Sequence, residues 1–493
     1  MNISKLISFL FLYINLLSGN LINYNLDLIS HIEIENASNN YGVSDVWGYT
    51  DEFGNEYAIV GYQFGTYIYK VSSTIPQLVA DFIGPSSGDY YYHRDYKTYG
   101  SHLYIVNEMY GGDIGMQVID LSPLPNNEPI QLETYNEMSQ SHNLWIDNDT
   151  GLAFIEHQNG DNIHIADISN PSYPQYAASF GNQALNCHDI YTRNNTAYVS
   201  EGWSYEFGIY NISDINNIIQ LASIPCSGYA HNAWLNDEGT HLITTEETEN
   251  KTIKIWDISN LNNIMLTGEY LGENNLAHNV HVLNNLLYIS HYSTGLKIVD
   301  IFNPSRPIEI AAFDTYPQSD NGGYIGCWGA YPFTSNGYIY ASDMQNGLYI
   351  LEFNNAYAGF INGYLYANSE QTLPNSSIKS TLNNKVFYTN DNGYFDFGHP
   401  SGTYDFIINN SDTLEITLYP REEANQNLYL DLEFIIGDIN QDSEVDIMDV
   451  VLAINFIMGN QTPTPQQSLY SDINEDSFIN IQDIILIVQI ILN

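Results

Sequence analysis

Short apolar runs recur along the chain between Tyr41 and Asn354, and the strongest of them end in an acid. They read Gly115-Met-Gln-Val-Ile-Asp120, Asn162-Ile-His-Ile-Ala-Asp167, Thr252-Ile-Lys-Ile-Trp-Asp257 and Gly295-Leu-Lys-Ile-Val-Asp300. Weaker copies lie at 65–72, 207–213 and 347–354. The aligned positions are Lys70, Asp120, Asp167, Asn211, Asp257, Asp300 and Glu352, spaced 50, 47, 44, 46, 43 and 52 apart. Runs this short, rich in β-branched residues and bounded by Gly, Asn and Asp, predict strands.

Each unit predicts four strands. In the third they are His142-Asn-Leu-Trp-Ile-Asp147, Leu152-Ala-Phe-Ile-Glu-His157, Ile163-His-Ile-Ala-Asp167 and Gln175-Tyr-Ala-Ala-Ser-Phe180, separated by turn residues such as Asn159-Gly160. Seven units of four strands predict a mostly β fold, a seven-bladed β-propeller over residues 24–355. The seventh unit stops after its third strand, at Phe353, while a strand of the missing type, Leu28 to Ile34, precedes the first unit. Pairing the two closes the ring and removes two open sheet edges.

The 493 residues leave room for further domains. With 58 acids against 12 bases the net charge is −46, which excludes nucleic acid as a partner, since its phosphates would be repelled. Such acidity serves solubility. Residues 1–19 have the form of a secretory signal peptide, with Lys5 before the apolar run Leu6 to Leu17 and then Ser18-Gly19; no other stretch is apolar enough for a transmembrane segment. A secreted, extracellular or cell-surface location in a bacterium is expected. Three cysteines, Cys187, Cys226 and Cys327, make no disulfide framework.

After Asn354 the pattern shifts. Residues 358–434 carry short alternating strands, among them Phe360 to Tyr366, Lys385 to Thr389 and Tyr404 to Ile408, and predict a small β-sandwich. The order Gly359, Leu373-Pro374-Asn375-Ser376, Gly393-Tyr394-Phe395 and Ser401-Gly402-Thr403-Tyr404 resembles the carboxypeptidase regulatory-like domain. That resemblance implies a transthyretin-like, non-catalytic spacer or binding module.

Residues 436–493 hold the sharpest chemistry. Asp438, Asn440, Asp442, Asp446 and Asp449 stand at positions 1, 3, 5, 9 and 12 of a loop, with the Glu444 carbonyl at position 7. Asp472, Asn474, Asp476, Asn480 and Asp483, with the Phe478 carbonyl, repeat the spacing 34 residues later. Calcium takes six to eight hard oxygens at about 2.3–2.6 Å, which alternate residues of a tight loop can supply. Two calcium ions are expected. An apolar helix follows each loop, and the two should pack together. The tandem resembles a type I dockerin, which implies a cohesin-like partner. The resemblance assigns partner choice to positions 10 and 11, here Ile447-Met448 and Ile481-Gln482. Position 6 is Ser443 and Ser477 rather than Gly, so the turn carries strain.

The propeller segment is similar to the choice-of-anchor B family, whose Leu-Val-Ile-Val-Asp-type repeat is closest here at Leu296-Lys-Ile-Val-Asp300. The resemblance implies a bacterial surface or secreted protein joined to a C-terminal anchoring module.

A second register recurs at the first strand of five units: His93, His142, His188, His231 and His278, spaced 49, 46, 43 and 47 apart. The other two units have Ser44-Asp45 and Cys327-Trp328 there. First strands line a propeller's channel, so the imidazoles should form most of a ring. Such a ring either bonds neighbouring blades to one another or holds a small ligand or transition metal.

Two functional classes follow. The first is a binding or scaffold propeller displayed through its dockerin, with Tyr90-Tyr-Tyr92 and Trp203-Ser-Tyr205 suited to carbohydrate or protein contact. The second is a polysaccharide-active hydrolase or metal-dependent lyase with its site in the channel. No Ser-His-Asp order or carboxylate pair is evident, although Asp95, Asp189 and Glu201 could meet in space.

Overall fold

The computed structural model describes residues 23–34, 42–72, 75–84, 93–108, 115–157, 162–181, 187–272, 276–319, 322–367, 371–430, 435–440, 442 and 444–492. The expected signal peptide at 1–19, the loop Tyr90 to Tyr92 and Ser443 lie outside the described residues. Compact units span Met1–Asn355 and Ala356–Asn493.

In the first unit the described residues form seven four-stranded antiparallel sheets, an arrangement consistent with propeller blades. Numbered along the chain, sheets 1 to 7 have as first strands Val43–Thr50, Arg94–Tyr99, Leu144–Asp147, Asp189–Arg193, Ala230–Leu235, Val280–Leu283 and Cys327–Tyr331. Sheet 7 is completed by the N-terminal strand Leu26–Ile32, which pairs antiparallel with Gly347–Phe353. Tyr24 and Asn25 tie this strand to sheet 6 as well. The Tyr24 hydroxyl donates to Glu309 Oε1 at 2.5 Å, and Asn25 Nδ2 donates to the Ile310 carbonyl at 2.7 Å.

Alternation within each strand sends one face to each neighbouring sheet, so the core is a series of shared clusters. Tyr57, Ile59 and Ile68 of sheet 1 pack with Tyr96, Leu103 and Ile105 of sheet 2. Ile243 and Ile255 of sheet 5 pack with Val280, Val282 and Leu287 around sheet 6. Val46, Ala58 and Val60 of sheet 1 pack in turn with Tyr340, Leu348 and Ile350 of sheet 7. First and last sheets therefore share a core.

The recurrent acid has a local task. Asp120, Asp167, Asp257 and Asp300 each accept, through Oδ1, the backbone N–H two residues on at 2.8–2.9 Å. Asn211 does the same for Ser213 at 2.9 Å. These are side-chain turns that lead the chain out of the third strand, which is why Asp or Asn recurs there.

The second unit contains two sheets. One is built on Ala358–Ala367, the other has the order Val386–Tyr388, Ser377–Ser380, Gly402–Ile408, Asp412–Leu418. Ile361, Leu365, Ile378, Phe395, Phe406 and Ile416 fill the space between them, as the expected sandwich requires. Three helices follow: α1 (Ile447–Ile457), α2 (Pro465–Ser471) and α3 (Ile481–Leu492). Helices α1 and α3 share a core of Ile439, Val450, Ala453, Tyr470 and Ile487. The short α2 is absent from the sequence reading because its apolar content is low; Pro465 at its first turn and the Thr464–Gln467 capping box start it.

Candidate functional site

The first strands of the sheets converge on one cleft, and their side chains lie in three layers. In the outer layer ring-to-ring contact, mostly tilted or edge-on, runs without a break around a circuit of six. The centroid separations are 5.6 Å for His93–His142, 4.7 Å for His142–His188, 4.1 Å for His188–His231 and 4.6 Å for His231–His278. His278–Trp328 at 4.3 Å and Trp328–His93 at 4.6 Å close it. All five histidines of the sequence register are thus together, with Trp328 as sixth member.

The second layer, one or two residues further along the strands, holds Asp45, Asp95, Asn143, Asp189, Asn232 and Asn279. These residues stitch sheet to sheet. Asp95 Oδ2 accepts the Leu144 N–H at 2.7 Å, Asn232 Oδ1 accepts the Val280 N–H at 3.0 Å, and Asn232 Nδ2 donates to Asp189 Oδ2 at 2.6 Å. Asp95 also pairs with Lys97 at 2.7 Å. Asp95 and Asp189 therefore do meet in one cleft. Glu201 is not among the lining residues and accepts the Tyr210 hydroxyl at 2.6 Å instead.

The third layer was missed in the sequence. Three residues after the ring position stand Trp47, Trp145, Tyr191, Trp234, His281 and Tyr331; in sheet 2 Lys97, four residues after His93, lines the cleft. Trp145–Trp234 at 5.2 Å and Trp234–His281 at 4.8 Å bind the far end of the cleft into an aromatic floor. The signal was present: a His-Asn or His-Asp pair followed at the third position by an aromatic or imidazole ring.

Two glutamates complete the outer layer, neither anticipated. Glu108, after the second strand of sheet 2, takes hydrogen bonds from His93 Nδ1 at 2.7 Å and His142 Nδ1 at 3.0 Å. Glu247, after the second strand of sheet 5, has Oε2 3.4 Å from His231 Nε2 and accepts the Tyr292 hydroxyl on Oε1. One ligand atom each from His93, Glu108 and His142 lies within 4.8 Å of the others, and the same holds for His231, Glu247 and His278. His188 belongs to neither group; its Nδ1 faces the His231 carbonyl at 2.8 Å. The His278 Nδ1 likewise faces the Trp328 carbonyl at 2.5 Å. A carbonyl only accepts, so in both rings Nδ1 carries the proton and Nε2 keeps a lone pair.

Charge is divided unequally around the ring. Burial alone would raise the Glu108 carboxyl and lower His142, but their mutual attraction wins. Glu108 is held well below the carboxylate range, and His142 is pushed up to about 9. Burial, reinforced by the charge of His142, pushes His231 down to about 3; His278 falls to about 3 through burial and His231. Burial also lifts Glu156 to about 7 and Asp189 to about 6.

A pH dependence follows from the Glu108–His142 pair. The stability a raised histidine contributes is fully present below its unfolded value of about 6.5 and is lost as pH rises through about 9. The wild type is expected to lose on the order of 2–3 kcal/mol between pH 6.5 and 10 beyond what a Glu108→Gln/His142→Gln double variant loses. Denaturant titrations of both proteins at the two pH values measure this. Equal losses would remove the pair as the cause.

In the second unit the described residues of the two loops, 34 apart in sequence, make matching hydrogen bonds. Asp438 Oδ1 accepts the Asp442 N–H at 3.1 Å, and Asp472 Oδ1 accepts that of Asp476 at 3.0 Å. Asn440 and Asn474 turn their Oδ1 to the same two N–H groups, at 2.9 and 3.0 Å. Asp442 and Asp476 accept from Glu444 and Phe478 N–H at 3.0 and 2.9 Å. Asp449 and Asp483, both wholly buried, accept from Ile439 and Ile473 N–H at 2.7 and 2.9 Å. Each loop thus gathers several carboxylate and amide oxygens, the donor type a hard cation takes, with Asn440 and Asn474 also donating from Nδ2 to Asp442 and Asp476. Ser477, at position 6, has φ of 70°, the strain its sequence position implies.

These features match known families. Residues 436–492 match the type I dockerin domain. The C-terminal segment is a type I dockerin. Type I dockerins bind calcium, and the oxygen-rich loops fit that ion. The dockerin implies attachment to a cohesin partner. Dockerin-bearing proteins are typically extracellular or attached to the cell surface. Among the described residues no helix is long and apolar enough to cross a membrane. Residues 153–181 and 276–315 match the LVIVD repeat. Similar solved structures include the computationally designed Ika8 protein, 11% identical with a TM-score of 0.42 over 65% of this chain and 99% of that one. Another is a functionally unknown protein from Desulfotomaculum acetoxidans DSM 771, 16% identical with a TM-score of 0.44 over 59% of this chain and 90% of that one. The chain matches none of the curated proteins.

Proposed function

We propose that this chain is a secreted binding protein: a seven-bladed propeller of the choice-of-anchor B kind, carried on a carboxypeptidase regulatory-like spacer and displayed through its dockerin. The observation that carries the reading is an apolar strip beside the calcium loops. Ile447 and Met448 at the start of α1 are 62% and 57% exposed, and Ile481 at the start of α3 is 64% exposed. Helix α1 continues the strip with Val451 and Met458, and α3 with Ile485. Apolar surface left bare on two packed helices is a docking face. The strip includes the partner-choosing positions Ile447-Met448 and Ile481-Gln482. Surface plasmon resonance against type I cohesins tests this. Binding is expected in calcium, with at least a tenfold loss when Ile447 and Ile481 both become Asp. Undiminished binding by that variant would refute the docking face.

The propeller's ligand is proposed to be carbohydrate, in keeping with polysaccharide utilisation. Trp203, 65% exposed, meets Tyr229 edge to face at 4.8 Å, and Tyr229 lies 5.2 Å from His188. An exposed aromatic rim beside a polar ring suits a sugar's apolar face and its hydroxyls. A catalytic reading of the same end rests on Glu156, whose carboxyl sits near 7 within bonding reach of the His142 N–H. Polysaccharide cleavage by the wild type and not by Glu156→Gln would favour the enzyme.

A further inference from the structure

The two histidine–glutamate groups of the outer layer are built differently. Around Glu108 the contacts are hydrogen bonds of 2.7 and 3.0 Å, so its lone pairs already hold two ring protons. Around Glu247 they are not. The His231 Nε2 to Glu247 Oε2 distance of 3.4 Å exceeds a good N–H···O bond of about 2.7–3.2 Å. It equals the edge, about 3.4 Å, of a tetrahedron whose ligands stand about 2.1 Å from a central ion.

Supporting bonds orient each ligand. His278 gives its Nδ1 proton to the Trp328 carbonyl, so Nε2 carries the lone pair. Glu247 is steered by the Tyr292 hydroxyl on its other oxygen, and its backbone N–H is anchored on the Tyr229 carbonyl at 3.0 Å. His231 is buried. Where Glu108 is bonded to two imidazoles, Glu247 is bonded to the Tyr292 hydroxyl.

We infer that His231, Glu247 and His278 form a mononuclear site for a borderline divalent ion of the zinc type, with a coordination position left open toward the cleft. The donor set of two imidazoles and one carboxylate is that of an open zinc site, whereas calcium and magnesium favour all-oxygen cages. The site does not depend on the display reading. His93, Glu108 and His142 are a hydrogen-bonded brace, and His188 is a ring neighbour, so the five histidines do not share one ion.

The test uses the full chain in excess calcium, which saturates the dockerin loops. After chelation and reconstitution with Zn2+, one zinc per chain is expected, and Co2+ in its place should give intense visible d–d bands. Glu247→Gln, which preserves size and the Tyr292 contact, and His278→Ala should each weaken zinc binding at least 100-fold. His142→Gln should retain it. Circular dichroism checks the fold of each variant; should His278→Ala fail to fold, Glu247→Gln decides. Substoichiometric zinc in the wild type, or zinc kept by Glu247→Gln, or zinc lost by His142→Gln, would overturn the assignment. Cohesin binding measured on the same samples separates this outcome from failure of the display reading.

Discussion

Chelating calcium is expected to unfold residues 436–492 and to abolish the helical signal of the chain, since α1, α2 and α3, of 11, 7 and 12 residues, are the helices among the described residues. Their shared core has five fully buried side chains, too few to offset the chain entropy of such a segment. Asp449 and Asp483 are wholly buried, and Asp438 is nearly so. Crowded carboxylates in loops repel one another until a cation neutralises them, so ion binding becomes folding free energy. Asp438→Ala with Asp472→Ala should reproduce the chelated state even in calcium, while the β signal persists. Far-UV circular dichroism of the full chain, with calcium and with chelator, measures this. An unchanged helical signal would show that the loops fold without metal.

Deleting residues 23–33 is expected to cost the first unit a large part of its stability. The strand Leu26–Ile32 covers the edge of Gly347–Phe353, with pairs from Leu26↔Phe353 to Ile32↔Leu348. Tyr24 and Leu26 are buried, and fully burying such side chains contributes roughly 1.5–3 kcal/mol each. With the lost ladder the deficit is on the order of 5 kcal/mol, against a total of about 5–15 kcal/mol for a folded unit. The bare edge also invites strand pairing between chains. Melting curves and light scattering of the deletion protein should show a drop of 10 °C or more, or aggregation, by the usual scaling of Tm with stability. An unaltered monomeric melt would rule out strand closure as a stabilising device.

Much of this was written along the chain because it repeats. The strand ending in Asp recurs because each copy must make the same turn, as Asp120 and Asp167 do. The dockerin loops were legible for the same reason: a ligand set at fixed offsets, duplicated, survives reading in one dimension. The histidine register was legible because every first strand faces one cleft, and a period in sequence becomes a ring in space.

Tertiary structure alone decided how the ring is bonded. Glu108 and Glu247 follow the second strands by a few backbone atoms, 15 and 16 residues after His93 and His231. Glu156 and Glu201 stand 14 and 13 residues after His142 and His188, so an acid at this place is itself a weak repeat. Yet those two accept a backbone N–H and a tyrosine hydroxyl instead, at 2.7 and 2.6 Å. A shift of one residue at a strand end turns a side chain toward the opposite face of the sheet. Bulges such as that between Ala230 and Asn232 move the register again. Composition and spacing could therefore bring five imidazoles to one place. Which acid faced which imidazole, and at what distance, was set by pleat and bulge within the folded sheets.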